Sequence, residues 1–258
     1  MKTVTLRDGS AERRLLLVHG FMGSPYDWDA FVKACPAGSR IDAVVLPGHG
    51  SQPEAVGHFE SAADALADFF SKKSPPETLI GYSLGGRLAL AAACRIFVKN
   101  LVLVSSTAGL QDNDERRQRT GADAKLAKKL AVSKSPEAFQ KFLRSWWGQP
   151  LFASLGGHPD ILKKLFSDRL EHSSESLAEV LEKWSSGRQE PLWEKLPDLK
   201  SRVYFLAGEK DQKYTELAKK MAALCSGGDY KIFPDVGHSL HVEAPQKLAD
   251  FLKIIFSG

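Results

Sequence analysis

Short apolar runs alternate along the chain with segments whose apolar residues recur every three or four positions. Arg14-Leu15-Leu16-Leu17-Val18 reads as a buried strand that stops at His19-Gly20. Ile41-Asp42-Ala43-Val44-Val45 reads as a second, closed by Leu46-Pro47-Gly48-His49-Gly50. From Ser61 to Phe70 the apolar positions Ala62, Ala65, Leu66, Phe69 and Phe70 fall on one helical face. Glu77 to Ile80 predicts a third strand, leading through Gly81 into a Leu- and Ala-rich helix over 84–93. Leu101-Val102-Leu103-Val104 predicts a fourth. This alternation predicts a mostly parallel sheet with helices on both faces.

The pattern then changes. From about Thr107 to about Pro191 strand signals stop, and helical, charged and aromatic segments take over. They resume at Val203-Tyr204-Phe205-Leu206 and Tyr230-Lys231-Ile232-Phe233, before an amphipathic helix over 246–256. The expected organisation is a core made of 1–106 and 192–258, with 107–191 inserted as a helical lid. Ligands of such sheets sit outside the carboxyl ends of the strands, which is where an insertion after the fourth strand would lie.

The 258 residues suffice for one large core, and the 43% hydrophobic and 26% charged shares are ordinary for a globular protein. A net charge of +4, with basic and acidic residues interleaved, argues against nucleic acid and leaves room for a small anionic substrate. No apolar run is long enough for a signal peptide or a membrane span, so no membrane association is expected. Cys35, Cys94 and Cys225 are odd in number and far apart, which suits reduced thiols and a cytoplasmic address. A monomer or weak homo-oligomer is expected.

Gly81-Tyr82-Ser83-Leu84-Gly85 fits G-x-S-x-G between a strand and a helix, the setting in which a serine is pushed out above the sheet on a tight turn. The motif in that place predicts an α/β-hydrolase fold. A serine hydroxyl needs a partner to take its proton. The fold's chain order of serine, acid and histidine points downstream to Asp211, in the turn after Val203–Leu206, and to His238, between the last strand and the last helix. Asp211 would orient His238, whose other ring nitrogen would face Ser83. Glu209 and Asp235 are competing carboxylates. The loop His19-Gly20-Phe21-Met22-Gly23 is where the fold supplies an oxyanion donor, so the backbone N–H groups of Phe21 and Leu84 are assigned that role. His19 and His49 read as loop-forming residues, and His58 and His241 have no assigned chemistry.

These motifs, with Trp28, Leu46–Gly50, Arg87 and Gly237-His238-Ser239-Leu240-His241-Val242-Glu243-Ala244-Pro245, together resemble the 2-succinyl-6-hydroxy-2,4-cyclohexadiene-1-carboxylate synthases (MenH). The resemblance runs from about Leu15 onward. Its more specific marks are Arg87, Gly109-Leu110 followed by Glu115–Arg119, and Trp146–Leu155 with Arg169 after it. It implies a lyase that eliminates pyruvate from a cyclohexene polycarboxylate without a metal or an organic cofactor. It also implies that Arg87, Arg119 and Arg169 bind carboxylates, with Tyr82, Trp146 and Phe152 lining the pocket. Arginine's planar fork suits that task. Arg116 and Arg117 read as a solvated helix face. Thr120-Gly121-Ala122 after Arg119 predicts a weakened helix there. No carboxylate partner is evident in sequence for any of the three arginines. The alternative is a serine hydrolase, an esterase or a carbon–carbon bond hydrolase, since the same residues serve either chemistry. A non-catalytic binding protein on this fold would not need them all. Whether serine acts as base or nucleophile stays open.

Overall fold

The computed structural model describes residues 1–51, 53–71 and 76–257, the side chains of Ala11, Glu12 and Ser257 excepted. Its order is β1 (Lys2–Arg7), β2 (Ser10–Val18), α1 (Asp29–Ala34), β3 (Ser39–Val45), α2 (Phe59–Phe70), β4 (Thr78–Tyr82), α3 (Leu84–Ala93) and β5 (Asn100–Val104). Then come α4 (Asn113–Ala131), α5 (Pro136–Trp147), α6 (Pro159–Arg169) and α7 (Ser174–Lys183). The chain ends with β6 (Arg202–Gly208), α8 (Gln212–Leu224), β7 (Gly228–Phe233), α9 (Leu240–Glu243) and α10 (Pro245–Ser257).

The strands form one seven-stranded sheet in the order β1-β3-β2-β4-β5-β6-β7. Every pairing is parallel except that of β1 with β3. β2 shows why both faces are apolar. Leu16 and Val18 join one core cluster with Leu66 of α2, Leu88 of α3 and Met221 of α8, while Leu15 and Leu17 join another with Phe31 of α1 and Leu252 of α10. Successive side chains of a strand point to opposite faces, so a sheet covered by helices on both sides needs unbroken apolar runs.

β1 carries no such run. Its Val4 and Leu6 alternate with exposed residues, as suits an edge strand with water on one side. Arg7 ties it down by donating to the carbonyls of Ser39, Val32, Cys35 and Pro36.

Between β5 and β6 the described residues hold four α-helices and no strand. α4 runs unbroken through Thr120-Gly121-Ala122, against the weakening expected there. Asp112 caps it by accepting from Asp114 N and Glu115 N at 2.9 Å each, and Lys128 and Lys129 sit at its carboxyl end. Cap and dipole each contribute roughly 0.5–1 kcal/mol, enough to offset a cost of about 1 kcal/mol for one interior glycine. The helical segment is fastened by a third cluster in which Met22, from the loop after β2, packs among Leu130 of α4, Phe139 and Leu143 of α5, and Leu177 of α7.

Two glycines answer to different constraints. A Cβ on Gly81 would stand 2.5 Å from Gly85 O and 2.6 Å from Gly86 Cα, whereas one on Gly121 would meet nothing within 4 Å. Gly81→Ala is expected to lower the thermal midpoint by roughly 3–10 °C, from an overpacking cost of about 1–3 kcal/mol. Gly121→Ala should raise it by a few degrees, since it removes backbone freedom from an exposed helix. Differential scanning calorimetry on both variants checks the pair.

Candidate active site

β4 delivers Ser83 onto a strained turn with φ 51° and ψ −111°, in the region a non-glycine residue enters only when its surroundings force it. The turn is pinned from two sides. Ser83 N donates to Val104 O at 2.9 Å, and the Ser106 hydroxyl donates to Ser83 O at 3.0 Å. β6 ends at Gly208, and Asp211 follows in the next turn. The loop after β7 brings His238 to it, with Nδ1 donating to Asp211 Oδ2 at 2.6 Å. The other ring nitrogen faces Ser83 Oγ at 3.3 Å. Asp235 is instead exposed, and Glu209 accepts from the Asp235 N–H. Of the three carboxylates weighed in the sequence, Asp211, the one preferred there, is the one that bonds His238 among the described residues.

Two clamps hold the His238 loop. Glu243 accepts from Gly237 N at 2.9 Å and from Ser239 N at 3.0 Å. Ser239 Oγ meets Tyr82 OH at 3.1 Å, and the Tyr82 ring packs on His241 with centroids 4.2 Å apart. Burial raises the Tyr82 phenol well above its ordinary range.

Phe21 and Leu84 stand beside Ser83 in the wall of one cavity of about 910 Å³. Among the described residues neither amide N–H has a partner in the chain. Met22 N, by contrast, donates to His49 Nε2 at 3.1 Å. Of the neighbouring Phe21 and Met22 amides, that of Phe21 is the one without a partner among the described residues.

The loop itself rests on neutral histidines. His19 accepts from Leu46 N through Nε2 and donates to Gly20 O through Nδ1. His49 donates to Pro47 O. His172, from beyond α6, accepts from Gly50 N and donates to Met22 O. Each needs one bare ring nitrogen, which only the neutral form has. Burial lowers His19 and His172 to about 4 and His241 to about 3, with His49 also well below its usual value.

All three arginines singled out in sequence reach the cavity, together with Tyr82, Trp146 and Phe152. Trp146 packs edge-on against Phe21 with centroids 5.3 Å apart, and Phe152 against His238 at 6.0 Å. The arginines differ in their partners, however. Arg169 makes a bidentate pair with Asp27 at 2.8 and 2.7 Å, both side chains buried. Arg119 Nε donates to Asp123 at 2.8 Å, one helical turn on. Among the described residues Arg87 has only neutral hydrogen-bond partners, Gln189 Oε1 at 2.7 Å and Trp184 O at 2.8 Å. The sequence showed no carboxylate partner for any of them. For two of the three the fold supplies one, because Asp27 comes from a loop far away in the chain and Asp123 lies four residues along the same helix. Asp27 is held below the ordinary carboxylate range: burial pushes it up, and Arg169 outweighs that.

Arg116 is not the solvated residue it resembled. It donates to Gly187 O and Gln189 O and pairs with Glu190 at 2.9 Å. Asp27, Gln189 and Tyr214 were not foreseen. Tyr214 packs on His238 with ring centroids 4.7 Å apart and lies in the cavity wall. Asp27 has a faint signal, the capping box with Ser24. Tyr214 follows Asp211 by three residues, so one turn of α8 puts both beside His238.

Residues 15–251 match the model of the alpha/beta hydrolase family. The chain belongs to that family. The 2-succinyl-6-hydroxy-2,4-cyclohexadiene-1-carboxylate synthase of Salmonella agona (strain SL483) is 34% identical over 242 residues, covering 92% of this chain and 91% of that protein. Within the family the chain belongs with these synthases. The solved structure of MenH from S. aureus matches with a TM-score of 0.90 at 27% identity, covering 99% of this chain and 97% of that one. Protein PHYLLO, chloroplastic, of Arabidopsis thaliana is 30% identical over 254 residues. The match takes in 90% of this chain and only 15% of that much longer protein. No helix of the described residues is long and apolar enough to cross a membrane.

The buried imidazoles set a pH dependence of stability. A histidine at about 4 in the fold and about 6.5 unfolded binds its proton more readily when unfolded. Its contribution is complete above about pH 6.5 and is lost as pH falls from there towards 4, at up to about 1.4 kcal/mol per pH unit for each group. The thermal midpoint should therefore drop between pH 7.5 and pH 5. His172→Gln should flatten that slope while lowering the midpoint at pH 7.5. A midpoint that stays level over this range would contradict neutral burial.

Proposed function

We propose that this chain is a carbon–oxygen lyase that releases pyruvate from an enolpyruvyl-substituted cyclohexene polycarboxylate, giving 2-succinyl-6-hydroxy-2,4-cyclohexadiene-1-carboxylate. The observation that carries the reading is Arg87. It is a cation in the wall of Ser83's cavity, without a carboxylate partner among the described residues. A neutral ester offers such a charge no opposite charge to pair with. The Salmonella agona relative is named for this same product, which points the same way.

In the proposed reaction Ser83 Oγ takes the ring proton next to the succinyl carbonyl as its own proton passes to His238 Nε2. Asp211 holds the imidazole in the tautomer that accepts this proton and stabilises the imidazolium formed. The electron pair left on carbon moves onto the carbonyl oxygen, which the Phe21 and Leu84 amides face. Its return forms the ring double bond and breaks the carbon–oxygen bond to the enolpyruvyl group. The departing enolate takes a proton from Ser83 and becomes pyruvate, and the imidazolium replaces that proton on Ser83, which restores the starting state. Serine stays unmodified throughout. The Ser83–His238 separation of 3.3 Å is long for a working hydrogen bond, and substrate closure is expected to shorten it. Trp146, Phe152 and Tyr82 supply apolar walls for the ring, and the arginines supply the carboxylate contacts.

Pyruvate release and diene absorbance, measured beside hydrolysis of a small aryl ester, test the reading. Ser83→Ala and His238→Ala should each lower kcat by about three orders of magnitude with little change in thermal midpoint. Intact mass during turnover should show no adduct on Ser83. A stable adduct would favour the hydrolase alternative.

Arg87→Ala should cost roughly ten- to a hundredfold in kcat/KM, as expected for losing one charge-assisted hydrogen bond of about 1.5–3 kcal/mol. Arg87→Lys should recover only part, because an ammonium cannot reproduce the fork. Wild-type turnover by Arg87→Ala would remove the polycarboxylate reading.

A further inference from the structure

Arg87 sits one turn past Ser83 on α3, and a different part of the chain grips its guanidinium. The turn between α7 and the 3-10 segment Trp193–Asp198 supplies both partners, Trp184 O and Gln189 Oε1. That turn is rigid. Gln189 N donates to Ser185 O at 3.2 Å, while Arg116 of α4 donates to Gly187 O and Gln189 O at 3.3 Å each. A Cβ on Gly187 would run into Arg116 O and Thr120.

The amide of Gln189 can face Arg87 in one way only. A guanidinium has donors and no acceptor, so Oε1 must point at it. Nε2 is then turned away, buried and without a hydrogen-bond partner among the described residues. Leaving such a donor unsatisfied costs about 1–3 kcal/mol. A glutamate would remove that donor and pair with Arg87 more strongly, as Asp27 does with Arg169 and Asp123 with Arg119. The chain instead carries a neutral acceptor, beside a guanidinium whose pKa burial already pushes down to about 10.

We infer that Gln189 is a positioning residue that determines specificity for anionic substrates: its amide oxygen aims the Arg87 fork into the cavity and leaves the full positive charge for a substrate carboxylate. Cation strength and cation aim are usually opposed. A carboxylate holder fixes an arginine firmly but cancels it, and water leaves it charged but unaimed. A neutral, buried amide on a rigid turn gives direction without cancellation. Arg116 takes part at one remove, because it fixes the turn that carries Gln189.

This inference rests on the proposed lyase reading, and the test separates the two. Gln189→Glu conserves shape and supplies the missing carboxylate. KM for the polycarboxylate substrate should rise at least tenfold, with kcat within about threefold of wild type and the thermal midpoint unchanged or higher. A holder with a purely structural role would be served as well by glutamate and would leave KM alone. Gln189→Ala should raise KM less, since it loosens Arg87 without neutralising it.

A second readout does not depend on turnover. Trp146, Trp147 and Trp184 line the cavity, so their fluorescence should follow titration with phthalate, an aromatic dicarboxylate. Gln189→Glu should weaken phthalate binding about tenfold. Absence of pyruvate release by the wild-type protein, together with this weakening in Gln189→Glu, would sink the lyase reading and leave the inference standing. Unchanged KM and unchanged phthalate binding in Gln189→Glu would overturn the inference, as would a joint fall in kcat and midpoint.

Discussion

The site depends on one steric constraint, the close passage of backbone on both sides of Ser83. β4 and α3 approach so nearly that Gly81 faces Gly85 and Gly86 without room for a methyl group. The turn between them can then hold Ser83 in a conformation that would otherwise relax. Three consequences follow from the same crossing. The Ser83 hydroxyl stands above the carboxyl edge of the sheet. The Leu84 amide, first in its helix, is left without an intrahelical acceptor. Arg87 is set one turn further along, on the side of the cavity. A second crossing completes the arrangement: Gly208, at the end of β6, leaves no space between itself and Val236–Gly237, which brings the His238 loop down onto Asp211.

Around these crossings the buried charges Asp27 and Asp123 are matched by arginines, and Arg87 is held by neutral partners instead. The loop beside Ser83 is held by imidazoles that stay neutral because each serves as donor at one nitrogen and acceptor at the other. The buried Asp27–Arg169 pair joins that loop to α6. Removing two charges from water costs several kcal/mol per ion, so the pair is better understood as fixing a position than as adding stability. Its fork engages Asp27 through both terminal nitrogens, and Arg169 Nε remains buried without a partner. The guanidinium thus keeps one donor edge unused.

The sequence was most legible where one physical pattern dominated. Runs dominated by apolar residues marked β2, β3 and β5, because a strand covered on both faces buries almost every side chain, and the few polar ones, such as Asp42 and Asn100, are hydrogen-bonded. The elbow was legible for a related reason: glycines at fixed offsets on both sides of a serine, between a strand and a helix, answer to a single steric demand. β1 stayed hidden since its alternation is short and half exposed. α1 and α8 carried no periodic signal strong enough to stand out from their surroundings. The site residues that escaped notice, Asp27, Gln189 and Tyr214, share a different property. Each acts on a group that the fold brings near, Arg169, Arg87 and His238 respectively, and no local pattern encodes such a pairing. Arg116 was misjudged for the same reason, since a charged residue on a helix face looks solvated until the turn it binds is in place.

The inserted helices and the sheet edge form one working unit. Met22, next to the free Phe21 amide, is buried among residues of α4, α5 and α7. Ser154 of the 3-10 segment Pro150–Gly157 lies where a Cβ on Gly237 would fall, directly before His238. Arg169 of α6 reaches Asp27, and the turn after α7 reaches Arg87. Phe21, His238 and Arg87 are therefore each touched, directly or through one neighbour, by a residue of the helical segment between β5 and β6. The serine, histidine and amide donors stand where the sheet puts them, while side chains from the helices between β5 and β6 and from the segment before α1 pair with Arg119 and Arg169 and leave Arg87 with neutral partners. The balance among Arg87, Arg119 and Arg169 is set by three side chains, Gln189, Asp123 and Asp27. Two of them are carboxylates and one is not. On this physical reading, selectivity resides in the partners of the arginines as much as in the arginines themselves.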